Sequence, residues 1–376
     1  MQPKRPDKIS ANPASYYLKR SAALATVVLA VLVITALPLG RMAWDGHQSE
    51  AQLLSEMFNR WDAPSYLKIA LEGYRNTPQD APLMAFFPLY PLFIRLANIV
   101  VPNLLAAGIL VSFICTIVAG ALLAGLAGLD SDEREARRAM LYLFVFPTAY
   151  FLFTPYTEAL FLALSLASFY CARKGDWATA GATGALAAAT RLHGILLLPA
   201  LVLEGFLQKG LDKKKLAWLI LIPLGLLAYL TINQAVFGNP TAFMEIQKQA
   251  WSKQAVAPWD TATELIKGVF LNPPSGNRTT AAELPLAGLV LAIALLVWGA
   301  RKLRPSYQIY AWGNLAIILG TGFPVSLPRY LLVIFPLFLV LAKEGRRPLV
   351  HEIILIASAI ALGLFFSLYA RGWWAF

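Results

Sequence analysis

Long apolar blocks separated by short polar stretches run the length of the chain. They lie at roughly 21–39, 104–128, 139–154, 157–172, 177–190, 194–207, 215–236, 283–300, 306–321, 328–342 and 349–369. Most approach the roughly 20 residues needed to cross about 30 Å of hydrocarbon. The pattern predicts an all-α polytopic membrane protein of about eleven transmembrane helices, a single integral membrane domain over 1–376. Several blocks are short, which predicts tilted, kinked or partly submerged helices. Two longer intervals are left as outer loops, 40–103 and 237–282.

The segment 85–102, AFFPLYPLFIRLANIVVP, is ambiguous. Pro88, Pro91 and Arg95 argue against a regular lipid-facing helix. A span there would also reverse the side of every later basic loop. It reads as a re-entrant or interfacial segment that closes the first outer loop.

Composition supports a membrane class. Hydrophobic residues make up 58% and charged residues 14%, against about 25% charged in soluble domains. The net charge of +11 is spread through short loops with no basic–aromatic alternation, so it does not point to nucleic acid. With the N-terminus inside, the segments 1–20, 129–138, 173–176, 208–214, 301–305 and 343–348 hold 19 of the 32 basic residues. That distribution follows the positive-inside rule. The basic N-terminus (Lys4, Arg5, Lys8) runs into an apolar core too long for a signal peptide, without a small-residue cleavage site. It is therefore expected to be an uncleaved first span in a plasma (inner) membrane.

The unusual polar residues then fall on one outer face. Asp62 lies in the first loop, Glu158 at the outer end of the third and fourth blocks, Arg191 and His193 between the fifth and sixth, and Arg329 at the start of the tenth. A charge beside a membrane helix needs a partner or a purpose. Together they predict one outward-facing polar pocket. Each also has a plainer reading. Asp62 can cap the helix starting near Pro64 or ligate a metal. Glu158 can answer a helix dipole, and the basic residues can snorkel. Trp61–Asp62 is not unique, since Trp44–Asp45 and Trp259–Asp260 repeat the dipeptide. With only His47, His193 and His351, a His-based metal centre is disfavoured. Cys115 and Cys171 sit in or beside apolar blocks and suggest neither redox chemistry nor a metal site. No cofactor is expected, although a carboxylate pair can recruit a divalent metal.

A family resemblance runs through these motifs. Arg60-Trp61-Asp62-Ala63, Tyr66-Leu67, Ile69-Ala70, Gly73-Tyr74 and Phe86-Phe87-Pro88-Leu89-Tyr90-Pro91 resemble the first luminal loop of the PIG-V mannosyltransferases. The similarity continues through Phe146-Pro147-Thr148, Pro155 to Phe161, Ala187 to Arg191 with Gly194, Pro328-Arg329-Tyr330 and Ala370-Arg371-Gly372. His193 departs from it, standing where a small or polar residue is expected. The resemblance implies a GT-C glycosyltransferase fold with short interfacial helices in the first loop. It implies a polyprenyl-phosphate sugar donor, most simply mannose, used on the extracytoplasmic face. Asp62 is then the general base of an inverting transfer, and Arg329 with Arg191 the donor-phosphate clamp. Trp61, Tyr66, Tyr156, Glu158, His193 and Tyr330 are expected to contact substrate. The acceptor, whether glycolipid, glycan or protein, is left open. The alternatives are a flippase of a lipid-linked sugar, or a glycoside hydrolase pairing Asp62 with Asp45 or Asp260.

Overall fold

The computed structural model describes residues 13–43, 49–210, 212–271 and 280–373. Lys4, Arg5, Lys8, the Trp44–Asp45 pair and His47 lie outside the described residues. The described chain is helical throughout and contains no strand. Every apolar block named above overlaps helix, although turns break several of them, as at 145–148 in the third. The first two are α1 (Pro13–Ala43) and α5 (Leu104–Gly128), and the last is α17 (Pro348–Ala370).

Four helical stretches are long and apolar enough to cross a bilayer unaided: Pro13–Met42, Leu104–Gly128, Lys213–Phe237 and Pro348–Ala370. The bent pair Pro324–Val333 and Pro336–Glu344, turned by 70°, makes a fifth if taken as one span. The remaining blocks form shorter pieces, among them α7 (Glu158–Arg173) and α8 (Trp177–Thr190). Length alone therefore accounts for fewer crossings than the eleven expected. The shortness has a local cause, because non-helical backbone interrupts the blocks inside the bundle.

Such backbone survives among apolar helices only if its polar groups are satisfied internally. Side chains do this at two of the breaks. Ser112 Oγ on α5 donates to the Thr154 carbonyl at 2.7 Å, and Thr116 Oγ1 to that of Leu152 at 2.6 Å. These bonds pin the segment that ends at Glu158. Thr148 Oγ1 donates to the Pro328 carbonyl at 3.1 Å, and Tyr310 hydroxyl to that of Val333 at 3.2 Å, holding the segment around Arg329.

The first loop is itself built of helices: α2 (Glu50–Phe58), α3 (Ala63–Glu72), a 3₁₀ turn (Ala81–Ala85) and α4 (Leu89–Asn98). At ten residues α4 is about 15 Å long, too short to span. It buries Leu89, Tyr90 and Ile94 and exposes Leu92 and Leu96, and Ile99 and Val100 just after its end are exposed as well. That is the form of an interfacial helix. Arg95 points back to α3, donating to the Ala70 and Leu71 carbonyls at 2.6 and 3.1 Å and capping its end. Tyr90 donates to the Gly108 carbonyl at 3.0 Å, fastening the loop to α5.

Candidate active site

Asp62 sits where α3 begins. Trp61 before it has φ 56, a left-handed conformation few non-glycine residues adopt. Asp62 occupies the N-cap position, yet its side chain makes no capping bond. Its Oδ2 instead accepts from Arg329 Nη1 at 2.7 Å. The helix-capping reading of Asp62 is thereby excluded. No hydrogen bond to Oδ1 occurs among the described residues.

Arg329 is the hinge of the cluster. Its Nε donates to Glu158 Oε1 at 2.6 Å, and Arg191 Nη1 donates to the same oxygen at 2.7 Å. Asp62, Arg329, Glu158 and Arg191 thus form one continuous chain of four charges. Glu158 is fully buried, and Arg329 is 5% exposed. Asp62 keeps 29% of its surface and Arg191 12%. Aromatic faces sheath the cations. The Arg329 guanidinium lies 4.4 Å from the Tyr156 ring centroid and 4.9 Å from that of Phe151, and Arg191 lies 5.0 Å from that of Tyr330.

Each charge is delivered by a break in the helical pattern. Glu158 opens α7, where the helix dipole favours a carboxylate. Arg191 is the extended residue after α8. The chain then folds back so tightly that a Cβ on Gly194 would lie 2.3 Å from the Ala188 nitrogen, so only glycine fits there. Arg329 lies in a four-residue helix, α15 (Leu327–Tyr330).

A cavity of about 160 Å³ opens beside this cluster, and Asp62, Tyr66, Arg191, His193, Arg329 and Tyr330 lie in its wall. Three other expected site residues are placed differently. Glu158 lies behind the wall, holding both arginines. Tyr156 is fully buried beneath Arg329, and its hydroxyl donates to the Arg60 carbonyl at 2.7 Å. Trp61 is 44% exposed and outside the lining. Burial drives the Tyr66 and Tyr156 hydroxyls well above the ordinary tyrosine range, so both stay neutral donors. Arg60 reaches the C-terminal end of α17, donating to the Tyr369 carbonyl at 3.4 Å, and Gly372 packs on its Nη1. The Ala370-Arg371-Gly372 motif therefore braces the backbone just before Asp62.

Several lining residues had no signal in the sequence. Gln247, Trp251 and Lys253 come from the second loop, through α11 (Ala242–Trp251) and the turn after it. Nothing local to the second loop says that it folds back over the first. Trp251 meets Phe86 edge-on at 5.7 Å.

A metal fits this donor set poorly. The two carboxylates meet on the Arg329 guanidinium, which already takes the place of a cation between them. Among the described residues no group of three or more His, Cys, Asp or Glu side chains is placed to hold an ion. The hydrolase pairing has no support either. Asp45 lies outside the described residues, and Asp260 lies outside the cavity lining.

Known proteins supply the family. A family model described as Mannosyltransferase (PIG-V) matches residues 45–236, just over half of the chain. No curated protein matches it. Among solved structures it is similar to the Archaeoglobus fulgidus oligosaccharyltransferase. For the complex with Zn and sulfate, identity is 14% and TM-score 0.45, covering 92% of this chain and 52% of that one. For the form tethered to an acceptor peptide, identity is 14% and TM-score 0.48, covering 93% and 55%. For the complex with an inhibitory peptide and a dolichol-phosphate, the values are 13%, 0.45, 91% and 56%. The chain spans about half the length of these structures. The model's match takes in the first loop with Asp62 and runs through Glu158 and Arg191 to the end of α10 (Leu221–Phe237); this multi-pass membrane protein belongs to the mannosyltransferase (PIG-V) family.

Proposed function

We propose that the chain is a membrane glycosyltransferase that moves a sugar, mannose on the family's precedent, from a polyprenyl-phosphate donor to an acceptor hydroxyl. The observation that carries the reading is Asp62. Its Oδ2 is held by Arg329 while Oδ1 carries no bond among the described residues, and the residue lines the cavity. A carboxylate so fixed can take a proton from an incoming hydroxyl, a contribution of about 10²–10⁴ in rate.

The reaction then balances simply. The acceptor oxygen loses its proton to Asp62 and attacks the anomeric carbon from the side opposite the leaving group. The bond from that carbon to the phosphate oxygen breaks, and its electron pair stays on the phosphate. Configuration inverts. The leaving group is already anionic, so it requires positive charge rather than a general acid. Arg329 turns a donor edge toward the cavity and supplies part of that field. Glu158 acts through the arginines, fixing their planes, and Tyr156 supports Arg329 from beneath. Tyr66, His193 and Tyr330 line the same cavity and on this reading contact sugar or acceptor. On this reading the cavity faces the extracytoplasmic side, and no step requires a metal.

The bent Pro324–Glu344 segment is a feature shared with transporters, whose broken helices surround a binding site. Purified protein given labelled polyprenyl-phosphate mannose and a panel of acceptor lipids and glycans separates the readings. A transferase yields a new glycosidic bond of opposite anomeric configuration to the donor. Movement of the intact donor across vesicles, with no new bond, would overturn the proposal.

A further inference from the structure

Among the described residues, the cavity wall and Glu158 behind it together hold three cations against two carboxylates. Arg191 and Arg329 are joined to Glu158 and Asp62 by contacts of 2.6–2.7 Å. Two positive and two negative charges are thus already matched, and neither arginine is the free clamp that the sequence suggested. The further cation in the wall is Lys253. It makes no ion pair among the described residues. Its ammonium lies 5.5 Å from the Phe323 ring centroid, within electrostatic reach of His193 and Tyr330.

The backbone places it there deliberately. α11 ends at Trp251, and Ser252 turns left-handed with φ 55. Lys253 nitrogen donates back to the Gln247 carbonyl at 3.2 Å. The next residues form a strap across the end of α14 (Pro305–Gly320): Gln254 nitrogen donates to Thr321 at 3.1 Å and Val256 nitrogen to Gly320 at 3.0 Å. A left-handed non-glycine residue is a local cost that persists where the surroundings impose it, often at ligand sites.

We infer that Lys253, carried on this strap of the second loop, is the contact for the donor's phosphate. The inference rests on the lipid-phosphate donor proposed above. A sugar phosphodiester carries one negative charge, matching the one surplus cation. When the anomeric carbon–oxygen bond breaks, the electron pair left on the phosphate adds a second charge. A lysine ammonium, a compact charge with three rotatable donors on a flexible stem, can follow that change where a paired guanidinium cannot. A phospholipid headgroup presents the same phosphodiester, so the test separates the two sources.

The test measures binding of a polyprenyl phosphate and of the matching polyprenol to the purified full chain in zwitterionic nanodiscs. The variants are Lys253→Met, Lys253→Arg and, as control, Lys248→Met, an exposed lysine on α11 outside the cavity. The native chain is expected to prefer the phosphate. Lys253→Met should lose about 10-fold or more of that preference, with polyprenol binding unchanged. Lys253→Arg should recover most of it, and Lys248→Met should match the native chain. Undiminished preference in Lys253→Met overturns the role of Lys253. Equal competition by phosphatidylglycerol also overturns it, making the site a headgroup contact. A native chain that fails to distinguish phosphate from alcohol removes the donor reading itself, and with it this inference.

Discussion

At the scale of residues, the site is a polar network in an apolar bundle, and its energetics are those of buried ion pairs. Such pairs are weak sources of net stability, because desolvation opposes the attraction. Removing one partner is another matter, since the other charge stays buried alone. Arg329 joins two carboxylates, one of them fully buried. Arg329→Met should therefore cost about 3–5 kcal/mol, read as a lowered thermal unfolding midpoint in detergent. Adding Glu158→Gln to that variant should recover part of the loss by removing the stranded carboxylate. A double variant as unstable as the sum of the two singles would show that the residues do not act as a unit.

At the scale of elements, helices present the site through their ends. Arg191 follows the last residue of α8, so its position depends on how α8 packs against α10. That contact is backbone-close. A Cβ on Gly225 would lie 1.8 Å from the Ala185 carbonyl oxygen, and one on Gly181 would lie 2.2 Å from that of Trp218. Small residues let membrane helices approach in this way. Gly225→Leu should cost about 1–3 kcal/mol through overpacking and reduce transfer by displacing Arg191. A variant with unchanged melting and unchanged activity would show that the crossing does not position the site.

This is also the scale at which the sequence was most and least informative. Apolar blocks announced the helices, and Pro88, Pro91 and Arg95 marked α4 as something other than a span, because side-chain chemistry there is local. The rule that intramembrane charges need partners gathered Asp62, Glu158, Arg191 and Arg329 on one face. It did not say who pairs with whom, since the partners are far apart in the chain and meet only when α7, α8 and α15 pack. Lys253 was invisible for a stronger reason. Its place depends on two backbone hydrogen bonds to residues 320 and 321, which carry no side-chain signal. Tyr156 was legible as a motif residue, but whether it faces substrate or the back of Arg329 is settled by packing.

At the scale of the whole molecule, charge is divided between the two ends of α7. Glu158 opens the helix and Arg173 closes it, about 22 Å away at 1.5 Å per residue, with no charge between. At the far end Glu204, fully buried, is held by Arg304 at 2.8 Å and Ser306 at 2.6 Å, and Arg173 pairs with Asp130 at 2.6 Å. That end also gathers the basic loops. By the positive-inside rule we propose that this end faces the cytoplasm and the cavity the outside. In a chain with Cys115 and Cys171 replaced, Gln79→Cys should react with a membrane-impermeant thiol reagent in intact cells. Lys214→Cys should react only after permeabilisation. The reverse pattern would invert the orientation and put the cavity on the wrong side for an extracytoplasmic transfer.

The account depends most on the Asp62 carboxylate. Its most direct test is turnover of labelled polyprenyl-phosphate mannose by Asp62→Asn beside the native chain, with donor binding followed in the same samples. The amide keeps the shape and can still accept from Arg329, but it cannot take a proton. Donor binding retained, with transfer reduced by about 10²–10⁴, is the predicted result. Transfer by Asp62→Asn near the native rate would contradict it.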